Sequence, residues 1–279
     1  MQYVGIDDMA LYIPSIYLPI KTLADTRNIE VAKLEKGLGL HSMAIPDVHE
    51  DSATMAANAV IEIIDKNKLD PRKIGRLYLG TESALDGAKP TATYVLDMLQ
   101  AKYKGAYGPD CFRHCDVVDL TFACVGGVDA LHNTLDWVRN GEDRMGIVVC
   151  SDFAKYELAS TGEYTQGAGA VALLVKHHPR LLLMSDAFGV ATKSVHDFYK
   201  PRRTFTKHQI IDEVLELIGR NGIRAEDLVK RITDTLEVKG LLDDNDEVIH
   251  VHKDCPIYDG PYSNLAYQRR IKEALEEKD

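Results

Sequence analysis

The sequence lacks any run of about eighteen consecutive apolar residues, the length a helix needs to cross a bilayer. Its opening, Met1 to Asp8, carries acidic residues where a secretory leader would place positive charge ahead of an apolar stretch. Both absences lead to the expectation of a soluble, cytoplasmic protein with no membrane partner. Basic charge is also short: 33 Lys and Arg stand against 43 Asp and Glu, a formal net charge of −10. With no cluster of Lys and Arg interleaved with aromatics, that balance repels nucleic acid and excludes it as a partner. A phosphorylated small molecule stays open, because a few local cations suffice to hold one. Cysteine is sparse and odd in number (Cys111, Cys115, Cys124, Cys150 and Cys255), with no disulfide-framework spacing, so free thiols in a reducing compartment are expected. A dinucleotide loop is missing too. The GAGA run at 167–170 has the wrong glycine spacing and leads into a strand rather than a helix.

What is present has the composition of a globular protein, 45% hydrophobic and 27% charged over 279 residues. The first 175 residues alternate apolar strands with amphipathic helices. Strands are expected at Tyr3–Ile13, Arg76–Gly80, Asp116–Asp119, Met145–Cys150 and Gly169–Val175, and helices at Ser52–Lys66, Thr91–Ala101 and Gly126–Arg139. Strands alternating with helices predict a layered α/β fold around a largely parallel sheet. After Pro179 a further strand is expected over Leu181–Val190, running towards Lys193. From Arg202 to Asp254 the chain is highly charged, with helical patterns at Gln209–Arg220 and Ala225–Leu236, an Asp/Asn turn, and a strand at Glu247–His252. That stretch reads as a satellite module, and Pro261–Glu277 reads as a closing helix.

Three segments could carry chemistry. In Leu120–Thr134 a strand ends, Cys124 follows, and Gly126–Gly127 open a helix. Unpaired N–H groups and the helix dipole at such a tip lower a thiol's pKa. The glycines would let a thioester substrate approach the backbone. The alternative is a buried structural cysteine at a strand–helix junction. In Leu77–Asp86 an apolar strand runs into Gly80–Thr81–Glu82–Ser83, placing Glu82 on the edge where α/β sheets form ligand sites. A partly desolvated carboxylate there suits proton abstraction from carbon, whereas a surface or capping glutamate is the plain alternative. Gly162–Leu174 offers small residues and places Thr165 to donate to a ligand, and a tight Gly/Ala strand in a sheet core explains the segment equally well.

Together with the opening segment, these stretches resemble hydroxymethylglutaryl-CoA synthases of the bacterial and eukaryotic type, within the thiolase superfamily. The matching stretches are Val4–Leu18, Gly37–Pro46, Thr54–Ala59, Gly80–Asp86, Phe122–Gly127, Thr165–Val175, Asp197–Pro201 and Asp259–Asn264, in the family's order. The resemblance implies a thiolase-like layered α/β fold, with residues 1–177 as a complete first half. Residues 178–201 and 255–279 would be the start of a second half, and 202–254 an insert. It also implies a mechanism: Cys124 takes acetyl from acetyl-CoA, Glu82 removes a methyl proton, and the enolate attacks acetoacetyl-CoA. By carry-over, Tyr156 and Thr165 line the acyl pocket, Asp152 orders its polar network, and Asp197 and Phe198 stand beside it. CoA thioesters are substrates, and no metal or redox cofactor is implied.

Two departures qualify the resemblance: Arg202 to Asp254 intervene where the family has a short connection between the segments matching Asp197–Pro201 and Asp259–Asn264, and the family's later catalytic groups are missing. The family's catalytic histidine and its later Asn and Gly/Ser-rich loop have no counterpart before the last residue, so a homo- or hetero-oligomer in which a partner chain supplies the second half is expected, with a fragment of a longer gene product as the alternative. The insert's His208, His250 and His252 are poor substitutes, as is His196. His250, His252 and Cys255 lack a fourth ligand for structural zinc, so no metal is expected. The competing class of function is a non-catalytic scaffold subunit that docks other chains through the insert.

Overall fold

The computed structural model describes residues 3–194, 198–199, 202–206, 208–209, 211–212, 230, 248–252, 257–258 and 260–278. Contacts divide the chain into two compact units, 1–189 with 278–279 and 190–277.

The first unit is built on a six-stranded sheet. Its strands are β1 (Val4–Tyr12), β4 (Ile74–Gly80), β5 (Asp116–Leu120), β6 (Met145–Phe153), β7 (Ala168–His177) and β8 (Leu182–Leu183), in the order β5-β4-β6-β7-β1-β8. Against the expectation of a largely parallel sheet, it is mixed. β4 pairs in parallel with β5 and β6, while β6–β7, β7–β1 and β1–β8 are antiparallel. The cause is the connection from β6 to β7, a loop without a crossover helix, which can only return antiparallel. The strand expected over Leu181–Val190 shrinks to two residues. After Met184 donates to Val4, the Met184 and Ser185 carbonyls turn to the Arg139 guanidinium instead.

Helices α3 (Ser52–Asn67) and α4 (Thr91–Tyr107) cover one face of the sheet, and α5 (Gly126–Arg139) covers the other. The α3 register explains its depth: Ala53, Ala56, Ala57 and Ala59 are buried beside Met55, Val60, Ile63 and Ile64. The alanines let the helix lie close to the strands. Asp51 and Thr54 close a reciprocal capping box at its start. The run Ile147–Val148–Val149 on β6 is buried on both faces, with Ile147 and Val149 towards α3 and α4 and Val148 towards α5. Two short strands that sequence patterning gave no sign of, β2 (Ile16–Pro19) and β3 (Ser42–Ile45), pair antiparallel. With α1 (Ile20–Arg27) and α2 (Val31–Glu35) they form a satellite cluster around Ile20, Leu23, Leu34 and Met43.

Asp7 on β1 is buried and accepts from Arg180 Nε–H, shared between both carboxylate oxygens at 3.0 Å, and from Nη2–H at 2.6 Å, with Lys176 at 3.2 Å. Burial alone would raise its carboxyl, but the bonds from Arg180 and Lys176 outweigh it and hold Asp7 below the usual range. Beside it, Asp8 is held at about 2 by Lys66, with help from Asn67. A carboxylate with a depressed folded pKa contributes stability that is present above its unfolded pKa and lost as the pH falls through the folded value. Arg180→Ala is therefore expected to move the acid-unfolding midpoint, followed by far-UV ellipticity, to higher pH. An unmoved midpoint would show that the pair contributes nothing.

In the second unit, β10 (Arg202–Thr206) pairs antiparallel with β11 (Val248–His252), and β9 (Phe198–Tyr199) with β12 (Ile257–Tyr258). The last helix, α6, spans Gly260–Lys278. The helices expected at Gln209–Arg220 and Ala225–Leu236 lie largely outside the described residues. No helix among the described residues is long and apolar enough to cross a membrane.

Candidate active site

Parallel pairing brings three strand ends together. Gly80 at the end of β4 stands opposite Leu120 on β5 and Cys150 on β6, so the chain leaving each strand emerges on one edge of the sheet. That edge is where open α/β sheets bind ligands. β5 runs on through Phe122 into a 3₁₀ turn, Ala123–Val125, which feeds α5. Val125 and Gly126 both donate their N–H to the Phe122 carbonyl. Ala123 holds φ at 39°, a left-handed conformation that costs a non-glycine residue on the order of 1–2 kcal/mol. The strained residue is the one immediately before Cys124.

Among the described cysteines, Cys124 is the exposed one. Cys111 is buried, and Cys115 and Cys150 are half-buried. The thiol is not acidified. Surrounding protein desolvates its thiolate, and the carboxylates of Glu82 and Asp152 repel it, so its pKa lies above the ordinary thiol value. The helix tip was expected to lower it, and here desolvation and two negative neighbours outweigh the dipole. Burial pushes Cys115 up as well, to about 12, so what distinguishes Cys124 among these thiols is access rather than acidity.

Glu82 follows β4 on the Thr81–Glu82–Ser83 turn. The carboxylate of Asp152, near the end of β6, accepts from the Glu82 N–H at 2.8 Å and from the Thr81 hydroxyl at 3.0 Å on the same oxygen. The Thr81 N–H donates to the Leu120 carbonyl at 3.2 Å, tying the turn to the end of β5. Asp119 on β5 accepts from the N–H groups of Thr91 and Ala92 and so caps α4, while the Thr91 hydroxyl accepts from Leu85 N–H at 3.0 Å. The loop between Glu82 and α4 is thus held at both ends.

Gly126 and Gly127 were expected to open space for substrate, but their vacant Cβ positions point elsewhere. A Cβ on Gly126 would lie 2.2 Å from the Leu120 carbonyl oxygen, and one on Gly127 would lie 2.3 Å from the Cys150 sulfur. A Cβ on Gly80 would lie 2.3 Å from the Gly127 nitrogen. These glycines let the start of α5 press onto the strand ends and so seat Cys124. Gly80→Ala is expected to destabilise the protein by about 3 kcal/mol, because the atoms it meets are backbone and cannot turn away. The thermal midpoint should drop by roughly 5–10 °C. An unchanged midpoint in calorimetry would refute this packing account.

The remaining expected site residues divide. Tyr156 and Thr165 meet at Gly162 on the loop between β6 and β7: Tyr156 packs against Gly162, and the exposed Thr165 donates its hydroxyl to the Gly162 carbonyl at 2.7 Å. Phe198 belongs to the second unit, on β9, while Asp197, His196 and Cys255 lie outside the described residues. His250 and His252 sit on β11, and His208 is exposed. Among the described residues no cluster of three or more His, Cys, Asp or Glu could hold a metal. Patterning missed Thr81 and Ser83, whose hydroxyls have roles set by partners about seventy positions away. A cavity of about 380 Å³ lies to one side, lined by Leu18, Leu23, Met43, Ile45, Phe153 and Leu158 among others. Neither Cys124 nor Glu82 lines it.

The family model for the N-terminal part of hydroxymethylglutaryl-coenzyme A synthase matches residues 1–179. The chain belongs to the hydroxymethylglutaryl-CoA synthase family. Among its curated relatives, the synthase of Haloferax volcanii is 38% identical over 208 residues, covering 74% of this chain and 46% of its own length. The synthase of Enterococcus faecalis is 35% identical over 198 residues, covering 71% and 49%. In structure the chain is similar to MvaS in complex with 3-hydroxy-3-methylglutaryl coenzyme A, with a TM-score of 0.73 and 30% identity, over 99% of this chain and 53% of that one. An HMG-CoA synthase complexed with CoA gives a TM-score of 0.72 at 27% identity, over 100% and 56%. The thiolase-like α/β fold of the family is therefore present, and the chain spans about half the length of the relatives it matches.

Proposed function

We propose that this chain carries the acyl-transfer half of a hydroxymethylglutaryl-CoA synthase. The Cys124 sulfur attacks the carbonyl of acetyl-CoA, the thioester bond to CoA breaks, and CoA leaves as its thiol. Glu82 takes a proton from the methyl group of acetyl-Cys124. The resulting enolate adds to the ketone carbon of acetoacetyl-CoA, and water then cleaves the product from Cys124. CoA thioesters are the substrates, and the residues call on no further cofactor. By the family resemblance Tyr156 and Thr165 are assigned to the acyl pocket, while Asp152 fixes the Glu82 backbone.

A single observation supports the reading most directly. An exposed thiol on a strained turn at a helix start lies close enough to the Glu82 carboxylate to be repelled by it. The same electrostatics call for a second half. The charges that raise the thiol are carboxylates, which oppose the thiolate, so the reading assigns removal of its proton to a basic group such as the family's histidine. Around the site, Phe122 is 66% and Val128 51% exposed, an apolar rim of the kind that association covers. The reading therefore includes a second thiolase half, contributed by another chain or by a longer form of this one. Residues 178–201 and 255–279 would begin it, with 202–254 as an insert.

The test mixes the 279-residue chain, acetyl-CoA and acetoacetyl-CoA, with and without a protein carrying the family's Phe-His and Gly/Ser-rich segments, and assays hydroxymethylglutaryl-CoA. Product should form when both are present. The alternative, a scaffold subunit, draws on the same apolar rim and on the unfavourable setting of the thiol. It predicts partner capture without product, lost when residues 202–254 are deleted.

A further inference from the structure

Between the strand that ends at Gly80 and the strand that ends at Phe153, one hydroxyl makes both halves of a backbone-like pairing. Ser83 Oγ donates to the Phe153 carbonyl at 3.0 Å and accepts from the Phe153 N–H at 3.1 Å. It thereby replaces the partner strand that Phe153 has lost beyond the end of β4, an unusual arrangement because a serine side chain has just the one donor and the lone pairs this requires. The Ser83 main chain is held as well: its N–H donates to Thr81 Oγ1 at 2.9 Å, and its carbonyl accepts from Ser52 Oγ at 2.7 Å. The Ser52 carbonyl in turn accepts from the buried Ser151 hydroxyl at 2.6 Å, so the network runs back into β6. Thr81, itself fully buried, completes the ring through Asp152.

We infer that Ser83 is a positioning residue for the proposed reaction: by clamping the Thr81–Ser83 turn onto the end of β6, it sets where the Glu82 carboxylate stands relative to the Cys124 sulfur. The inference rests on the Glu82–Cys124 reading above and deepens it. Glu82 lies between two anchored neighbours, Thr81 bonded to Asp152 and Ser83 bonded to Phe153, so its backbone has no slack. Placement of a base within a fraction of an ångström is what makes proton transfer from carbon efficient. Without the Ser83 hydroxyl the turn loses its anchor on Phe153 and keeps its bonds to Asp152, Thr81 and Ser52, which leaves the Glu82 carboxylate freer to swing outward.

The test needs no turnover. In the full chain, Cys124 is alkylated with iodoacetamide across a pH series, and its modified peptide is quantified by mass spectrometry. Glu82→Gln removes a negative neighbour, so Cys124 should titrate at lower pH and be alkylated faster at pH 8. Ser83→Ala, which frees the turn, is expected to shift the profile in the same direction, with a roughly 3-fold faster alkylation at pH 8, the effect of about half a unit in a thiol titration. A contact that served stability alone would lower the melting midpoint and leave this profile in place. Thr81→Val keeps the side-chain shape and breaks the same ring, so it gives the same readout where Ser83→Ala does not fold. A shift in Glu82→Gln with wild-type profiles in the folded Ser83 and Thr81 variants overturns the positioning role and leaves the site reading intact. No shift in Glu82→Gln means that the carboxylate does not face the sulfur, which overturns both.

Discussion

Cys124→Ala is expected to abolish acetyl incorporation from labelled acetyl-CoA, with no label on the peptide that spans Leu120–Arg139. The reasoning is steric as much as chemical. Cys111 is buried, and Cys115 and Cys150 are half-buried with thiols pushed up by burial, so no other described cysteine can take over the acyl group. The loss should be complete to the detection limit, because a thioester cannot form on alanine. The control is circular dichroism. Cys124 is exposed and its removal leaves little cavity, so the variant should melt within about 0.5 kcal/mol of the parent, the ordinary range for a surface position. Label retained on the variant would show that another residue is acylated. No label on the parent, even with the second half supplied, would overturn the acyl-transfer reading itself.

The second large effect separates the two chemical steps. Glu82→Gln keeps the side-chain size and the backbone bond from Glu82 N–H to Asp152, which does not depend on the side chain. Acetylation of Cys124 should persist, and at neutral pH it should quicken, since one of the two negative charges that raise the thiol is gone. Carbon–carbon bond formation should fall by roughly 10²–10⁴-fold, the usual contribution of a positioned general base. The measurement pairs single-turnover acetylation, read by mass spectrometry, with hydroxymethylglutaryl-CoA production in the complemented system. Equal losses in both steps would mean that Glu82 serves acylation or folding and does not act as the base for the methyl proton.

The charge around the sulfur also fixes the pH dependence of the first step. Because desolvation and the neighbouring carboxylates raise the thiol, the rate of Cys124 alkylation in the isolated chain should climb with pH to beyond the ordinary thiol range. Adding the second half should move that climb to lower pH if it brings a cation to the site. A profile that does not respond to the second half would place the deprotonating group within this chain.

The periodicity of the first 177 residues was enough to locate the main strands and helices. Gly126–Arg139 was found to the residue and Ser52–Lys66 to within one, because long helices with one buried face repeat their signal over several turns. The four-residue strands β2 and β3 went unseen: their exposed, short stretches carry no period, and only pairing with each other makes them strands. Strand direction is not legible in the same pattern, since a loop and a crossover helix look alike in hydropathy when neither is apolar, and β6, β7 and β1 pair antiparallel.

The sequence by itself determined the family, the α/β class, and the two chemically able side chains at the ends of apolar strands, because those depend on local order along the chain. Tertiary structure alone decided that Glu82 and Asp152, some seventy residues apart, are joined by a hydrogen bond at the sheet edge, and that their charges and desolvation raise the Cys124 thiol rather than lower it. Strand register and the distances between charges in a desolvated site are properties of how segments pack, and a linear chain does not carry them.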